Sequence, residues 1–110
     1  LKDIINKGLI GEIVDIDMWA ALDTPWNLWK FLEDLPRVEI LLHSIHYFDA
    51  IRFLVGNPHG VHAKTMGHPA SKISNTRTAA ILDYGEDLRC AVSINHNHNY
   101  GRKYSSLMPT

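Results

Sequence analysis

The chain has 110 residues, of which 45% are hydrophobic and 21% charged, and this composition predicts one small globular domain with its own core. The formal net charge of −1 gives no electrostatic reason to expect nucleic acid or an anionic membrane as a partner. Cys90 is the single cysteine, which excludes an internal disulfide, and no run reaches the roughly 18 apolar residues of a membrane span. We therefore expect a cytoplasmic protein.

The first part of the chain predicts a short helix, a strand and a helical turn. Apolar residues recur at helical spacing over Leu1–Lys7, and Gly8 is a natural helix stop. From Ile13 to Ala20 apolar and other residues alternate strictly, which predicts a strand with one buried face. That face is expected to hold Val14, Ile16 and Met18, and the opposite face Asp15, Asp17 and Trp19. A helical turn is predicted over Trp26–Leu32.

A longer helix is predicted from Val38 to Val55. Its apolar residues follow one another at three- and four-residue spacing, which is typical of a helix with one face against a core. The stripe consists of Leu41, Ile45, Phe48, Ile51 and Val55. Gly56 and Pro58 end the helix, since glycine favours the C-terminal cap and proline cannot continue a helix.

The second half of the chain predicts strands over 60–66, 74–84 and 88–98, the last two joined in a hairpin by the turn 84–87. In the last strand the apolar face holds Leu88, Cys90, Val92 and Ile94, and the same parity places His96 and His98 on it. We expect Cys90 to be an inert core thiol. The fold class is therefore α+β, an antiparallel or mixed sheet with helices packed on one face.

Both ends of the chain predict that it is a fragment of a longer protein. The chain begins at Leu1 rather than at a methionine, within an apparent helix, and residues 104–108 are expected to open another strand. There is no G-x-G-x-x-G sequence, so no dinucleotide-binding motif is carried here.

The long helix carries the main candidate for chemistry. Its side beside the apolar stripe holds Leu42, His46, Asp49 and Phe53. A neutral imidazole such as His46 can give or take a proton near neutral pH, and Asp49 is close enough along the helix to orient it. The alternative is that His46 is a core histidine, satisfied by Asp49 or by a backbone carbonyl.

The stretch from Pro36 to Asp49 reads PRVEILLHSIHYFD and continues through an apolar run to Gly56 and Pro58. It resembles the signature helix of the glucose–fructose oxidoreductase and inositol dehydrogenase (Gfo/Idh/MocA) family, with its H-x-x-D element. Residues 9–14 resemble the entry of that family into its first sheet strand, and residues 61–64 resemble the strand after the helix. The resemblance covers most of residues 1–96 and lies in the order and spacing of these segments.

The resemblance implies that residues 1–110 are a partial C-terminal substrate and oligomerisation domain. The parent would be an NAD(P)-dependent oxidoreductase acting on a sugar, a polyol or a related hydroxy compound. The family's catalytic lysine and its NAD- or NADP-binding glycines belong to a nucleotide-binding domain absent from this chain. We therefore expect the fragment alone to bind no cofactor and to be inactive. Because family members commonly associate through the outer sheet face, a homo-oligomer is expected.

The resemblance also implies site residues. The family's helix histidine, which acts as acid and base or positions the substrate hydroxyl, corresponds to His46. Its companion aspartate corresponds to Leu42, which cannot relay a proton. His43 and Asp49 are further candidates for substrate binding. His43 directly follows Leu42 but points about 100° away from it around the helix. Arg37 and Glu39 stand where many family members have glycines.

Aromatic residues after the first strand form a second candidate site. Trp26 and Trp29, with Asp23, have the character of a sugar site, in which rings stack on C–H faces and polar groups hold hydroxyls. Trp19 and Asn27 belong to the same group. The alternative is that the tryptophans pack loops onto the sheet.

Two other functions remain open from the residues alone. One is a non-catalytic dimerisation or binding module. The other is a metal-binding domain, since two pairs of histidines facing each other could bind zinc. The pairs are His43 with His46 and His96 with His98. The spacing matches no strong metal motif, so no metal ligand is assigned.

Overall fold

The computed structural model describes residues 1–98, apart from the side chains of Asn27 and Leu41. The strand expected to open at residues 104–108 lies outside this range. In chain order the elements are α1 (Lys2–Asn6), β1 (Asp15–Ala21), two 3₁₀ turns (Trp26–Leu28 and Lys30–Asp34), a π-helical turn (Ile40–Ser44), α2 (Ile45–Val55), β2 (Gly60–Met66), β3 (Arg77–Asp83) and β4 (Arg89–Asn95).

The four strands form one mixed sheet in the order β1-β4-β3-β2. The hairpin predicted from the sequence is confirmed, because β3 and β4 pair antiparallel, and β2 pairs antiparallel with β3 on the far side. Strand β1 lies parallel to β4, with Ile16 opposite Cys90 and Met18 opposite Val92. The expected α+β class with a mixed sheet is therefore confirmed.

The core lies between α2 and one face of the sheet. Ile51 on α2 is 1% exposed and belongs to a cluster with the inward-facing residues of the central strands. These residues are Ala80, Leu82, Cys90, Val92 and Ile94. Phe48 and Val55 pack against the same cluster, as the helical stripe predicted. Burial of the thiol of Cys90 is likewise confirmed.

Among the described side chains, two that were expected on buried faces are exposed. Val14 is exposed because β1 begins one residue later, at Asp15, so Val14 lies in the segment that leads into the strand. Ile45 is exposed because the helical segment opens with the π-helical turn, which takes one more residue per turn than an α-helix. The wider turn ends at Ser44, so the spacing of the apolar stripe is interrupted at Ile45.

The other face of the sheet is uncovered in the described part of the chain. Trp19 and Ile81 are exposed there, and Arg89 on β4 pairs with Asp15 and Asp17 on β1 at 3.0 and 3.9 Å. Among residues 1–98 no helix is long and apolar enough to cross a bilayer. The cytoplasmic location expected from the sequence stays a prediction.

Candidate functional site

His43 and His46 lie three residues apart in the sequence but on different sides of the helical segment. His46 is exposed on α2, beside Asp49 and Phe53, where a shallow depression of about 420 Å³ also touches Arg52. Leu42 is exposed as well. The four residues expected to share one side of the helix are therefore all on its outer surface.

Asp49 does not hold His46 by a hydrogen bond. Its Oδ1 lies 3.7 Å from Nη1 of Arg52, one turn further along α2. In residues 1–98 no hydrogen bond joins His46 to Asp49, so the imidazole is free to turn toward a ligand. The assignment of His46 as the catalytic residue stays a prediction.

His43 faces inward and belongs to a polar cluster between the π-helical turn and the sheet. The cluster consists of Glu39, His43 and His96, and we refer to it as the Glu39–His43–His96 cluster. The two imidazole centroids are 4.6 Å apart in an edge-on arrangement. Glu39 has no exposed surface and His96 is 4% exposed, while His43 is partly exposed.

Both carboxylate oxygens of Glu39 accept hydrogen bonds from hydroxyl groups. Ser44 Oγ donates to Oε1, and Thr78 Oγ1 donates to Oε2. Burial alone would raise the pKa of Glu39, but the neighbouring His96 imidazole and the two hydroxyls outweigh it. The pKa therefore lies below its ordinary value of 4.5. Glu39 is consequently a buried anion at neutral pH.

Each imidazole of the cluster uses one nitrogen for a hydroxyl and turns the other toward Glu39. His43 Nε2 lies 3.1 Å from the Tyr47 hydroxyl, and His96 Nδ1 lies 2.8 Å from Thr24 Oγ1. The remaining atoms, His43 Nδ1 and His96 Nε2, lie 4.0 and 3.5 Å from Glu39 Oε1. Both are buried without a hydrogen-bond partner in the described structure.

The charge state of His43 follows from its surroundings. Burial lowers the pKa of His43 below its ordinary value of 6.5, and the neighbouring His96 lowers it further. Glu39 acts in the opposite direction but does not reverse the shift. His43 is therefore neutral at pH 7, and one of its ring nitrogens carries a lone pair that can bind a proton or a metal ion.

The backbone brings the three residues of the cluster together from distant parts of the chain. Val38 and Glu39 donate their N–H groups to the carbonyls of Ser74 and Asn75, which lie just before β3. His96, directly after β4, donates its N–H to Thr76 O. Arg37 takes a left-handed conformation (φ 51°), which glycine adopts most easily, at the turn into the helix.

The aromatic candidates separate into different surroundings. The Trp26 ring lies 5.2 Å from the His96 ring and lines a cleft of about 500 Å³ together with Thr24 and Lys30. Trp29 and Asp23 are exposed, and Asp23 forms a bridge to Asn97. Trp19 lies on the opposite, uncovered face of the sheet. The structure thus joins Trp26 to the polar cluster and keeps Trp19 apart from it.

The metal hypothesis of four histidines is corrected by the structure. His43 and His96 do meet, but the third member of their cluster is Glu39, and among residues 1–98 neither His46 nor His98 belongs to the group. Sequence reasoning missed Glu39 as a site residue. The signal that could have found it is its position four residues before His43, which places a carboxylate one helical turn from an imidazole.

The family comparison agrees with the resemblance found in the sequence. A family model described as the GFO/IDH/MocA C-terminal domain matches residues 1–107. The chain belongs to this family. No curated protein sequence matches it significantly.

Solved structures of similar fold come from several bacteria. An oxidoreductase from Agrobacterium radiobacter, in complex with NAD+, L-tartaric acid and magnesium, is 22% identical with a TM-score of 0.76 over 91% of this chain and 30% of its own. The WlbA dehydrogenase from Bordetella pertussis, in complex with NADH and UDP-GlcNAcA, is 17% identical with a TM-score of 0.73 over 91% and 30%. A myo-inositol dehydrogenase from Corynebacterium glutamicum is 17% identical with a TM-score of 0.64 over 91% and 31%. The chain therefore spans about a third of the length of these structures.

Proposed function

We propose that this Gfo/Idh/MocA C-terminal domain forms the substrate side of an NAD(P)-dependent oxidoreductase that acts on a sugar, a polyol or a related hydroxy compound. The observation that carries the proposal is the exposed imidazole of His46 beside exposed apolar side chains of the helix. The resemblance of the helix sequence to the family assigns His46 to the family's acid–base histidine. The alternative of a stand-alone binding module offers no reason for that combination.

The surface around His46 has the character of a covered interface. Leu42, Ile45 and Phe53 are 51%, 49% and 66% exposed on the same part of the helical segment. Clustered large apolar side chains on a soluble domain mark a surface that another protein surface covers. We assign that role to the nucleotide-binding domain of the full-length protein, which places His46 at the junction of the two domains.

NAD or NADP belongs to that other domain in this proposal. The chain has no G-x-G-x-x-G turn to bind dinucleotide phosphates. The support for a nicotinamide cofactor is the family, together with the Agrobacterium and Bordetella structures described with NAD+ and NADH. When bound, the nicotinamide accepts or gives the hydride. The part of this chain is to hold the substrate and to move the hydroxyl proton.

His46 is the proton carrier in this proposal. A neutral imidazole within hydrogen-bond reach of the substrate hydroxyl takes its proton as the carbon loses its hydride, and returns a proton in the reverse direction. Leu42, one turn earlier, has no group that could receive the proton. His46 therefore exchanges its proton with solvent or with the substrate rather than with a neighbour on the helix.

The substrate contacts proposed on this chain are Asp49 beside His46, together with Asp23, Trp26 and Trp29. His43, the remaining candidate from the sequence, faces inward, where its two ring nitrogens lie beside Tyr47 and Glu39. Asp49 and Asp23 carry exposed carboxylates, which accept hydrogen bonds from hydroxyl groups, and Trp26 and Trp29 offer ring faces to C–H groups. L-Tartaric acid and UDP-GlcNAcA, the compounds in the two similar structures, both carry hydroxyl groups, which supports a hydroxylated substrate.

The experiment is a comparison of variants in the full-length protein, assayed with NAD+ and NADP+ against polyols, sugars and hydroxy acids. His46→Ala is expected to lower kcat by about 10²–10⁴, because general acid–base catalysis is lost. His59→Ala, at an exposed histidine just before β2, is the control and should keep the wild-type rate. An unchanged kcat in His46→Ala would overturn the proposed role.

We also propose that the uncovered sheet face makes a homo-oligomer. Trp19 and Ile81, at 64% and 57% exposed, are the large apolar side chains available there. Analytical ultracentrifugation should show dissociation of the oligomer in Trp19→Glu, since a charge then enters the contact. A monomeric wild-type protein would contradict this part of the proposal.

A further inference from the structure

Three atoms of metal-ligating types converge in the Glu39–His43–His96 cluster at spacings that suit one metal ion. Oε1 of Glu39 lies 3.5 Å from His96 Nε2 and 4.0 Å from His43 Nδ1, and one ligand atom of each residue lies within 4.8 Å of the others. Bonds of about 2.0–2.2 Å from Zn²⁺ to nitrogen and oxygen require ligand atoms no more than about 4.3 Å apart. Movements below about 1 Å therefore bring all three to one ion.

The outer hydrogen bonds of the cluster match those of metal-binding histidines. A histidine that binds a metal usually makes a hydrogen bond through its other ring nitrogen, which fixes the orientation of the ring. His43 does so with the Tyr47 hydroxyl and His96 with Thr24 Oγ1. Both nitrogens that face Glu39 are buried, and neither has a hydrogen-bond partner among residues 1–98. The carboxylate, in turn, is oriented by Ser44 and Thr78.

Charge balance calls for a cation at the same place. Glu39 has no exposed surface, and within residues 1–98 no lysine or arginine lies at ion-pair distance from it. An isolated buried carboxylate is costly unless a positive charge compensates it. Two sources fit the geometry: a proton on one imidazole, or a metal ion shared by all three ligands.

We propose that Glu39, His43 and His96 bind one divalent transition-metal ion, such as Zn²⁺. Two imidazoles and one carboxylate favour such an ion over Mg²⁺, which prefers oxygen ligands. The ion ties the π-helical turn to the end of β4. Three protein ligands leave a fourth position for water or for an oxygen of a small ligand. The site is independent of hydride transfer at His46.

The test is metal binding by the purified full-length protein after removal of metals with a chelator. Zn²⁺ is titrated by calorimetry, and Co²⁺ serves as a spectroscopic probe because its visible absorption reports the ligands. Wild-type protein and His59→Ala should both take up the ion at this site. His43→Ala and Glu39→Gln should lose at least about 10²-fold in affinity, since even loss of an outer hydrogen bond costs about 10–100-fold.

Tyr47→Phe separates a metal site from a merely structural cluster. It keeps the ring and removes the hydroxyl that orients His43, so Zn²⁺ affinity should fall about 10–100-fold while the circular dichroism spectrum stays unchanged. If Glu39→Gln fails to fold, His43→Ala and Tyr47→Phe still decide the matter, since both side chains are partly exposed. Absence of Zn²⁺ binding by the wild type, or equal affinity in all variants, would overturn the proposal and leave a proton on an imidazole as the compensating charge.

Discussion

Nε2 of His96 lies 3.5 Å from Oε1 of Glu39, across the contact between the sheet and the start of the long helical segment. His96 follows the last described strand, whereas Glu39 precedes the π-helical turn, so the pair joins two distant parts of the chain. Both side chains are buried. This contact makes a polar cluster part of the interior of a small domain.

The hydroxyls that donate to Glu39 are expected to stabilise the fold. Removing one of them leaves a buried carboxylate oxygen without its donor, so Ser44→Ala and Thr78→Val should each lower the free energy of unfolding by about 1–3 kcal/mol. Urea denaturation in the presence of a chelator measures this without a contribution from metal. Ser93→Ala, at an exposed position of β4, is the control and should change little. Equal stability of all three variants would contradict the assigned hydrogen bonds.

Truncation of two apolar residues of α2 should affect the stability of the fold to very different extents. Ile51 is buried in the core, so Ile51→Ala should lower the free energy of unfolding by about 2–5 kcal/mol through lost burial and the cavity left behind. Phe53 is exposed on the outer surface, and Phe53→Ala should change the stability of the isolated chain by no more than about 0.5 kcal/mol.

The same pair tests the interface assigned to the outer surface of α2. In the full-length protein Phe53→Ala should reduce activity or weaken the contact between domains, although the isolated chain is unaffected. Limited proteolysis of the linker between the domains measures the second effect. A full-length Phe53→Ala protein that behaves like wild type would show that this surface is not covered.

The thiol of Cys90 is expected to be unreactive in the native protein. Its ionisation is expected to lower the free energy of unfolding at alkaline pH. Burial raises the pKa of its thiol above the ordinary value of 9.0. Since the thiolate is the reactive form, a disulfide reagent should label native protein much more slowly than urea-unfolded protein. The unfolded thiol ionises first, so the native state binds more protons, and the free energy of unfolding falls as pH rises above about 9.

A Cys90→Ala variant gives the control for the alkaline effect. Its free energy of unfolding should decline less steeply over this pH range, with the remaining slope due in part to Tyr84, whose pKa burial also raises. Rapid labelling of native wild-type protein, or an unchanged slope in the variant, would show that the thiol is not sealed in the core.

The sequence by itself determined the local elements and the family. Alternation of apolar residues located β1 and β4, and the glycine turn between β3 and β4 implied their hairpin, because strand periodicity and turn chemistry are properties of neighbouring residues. The helical spacing around His46 placed it with Leu42, Asp49 and Phe53 on one surface for the same reason. The order of the motifs sufficed for the Gfo/Idh/MocA assignment, which the family comparison confirms.

Only the tertiary structure decided which polar residues meet. The parallel pairing of β1 with β4 brings Thr24 beside His96, and the π-helical turn directs His43 inward while His46 stays outside. Glu39 joins them because its backbone is held by the segment before β3. Periodicity carries no information about contacts between residues far apart in the chain, since these depend on strand order and on the packing of one layer against another.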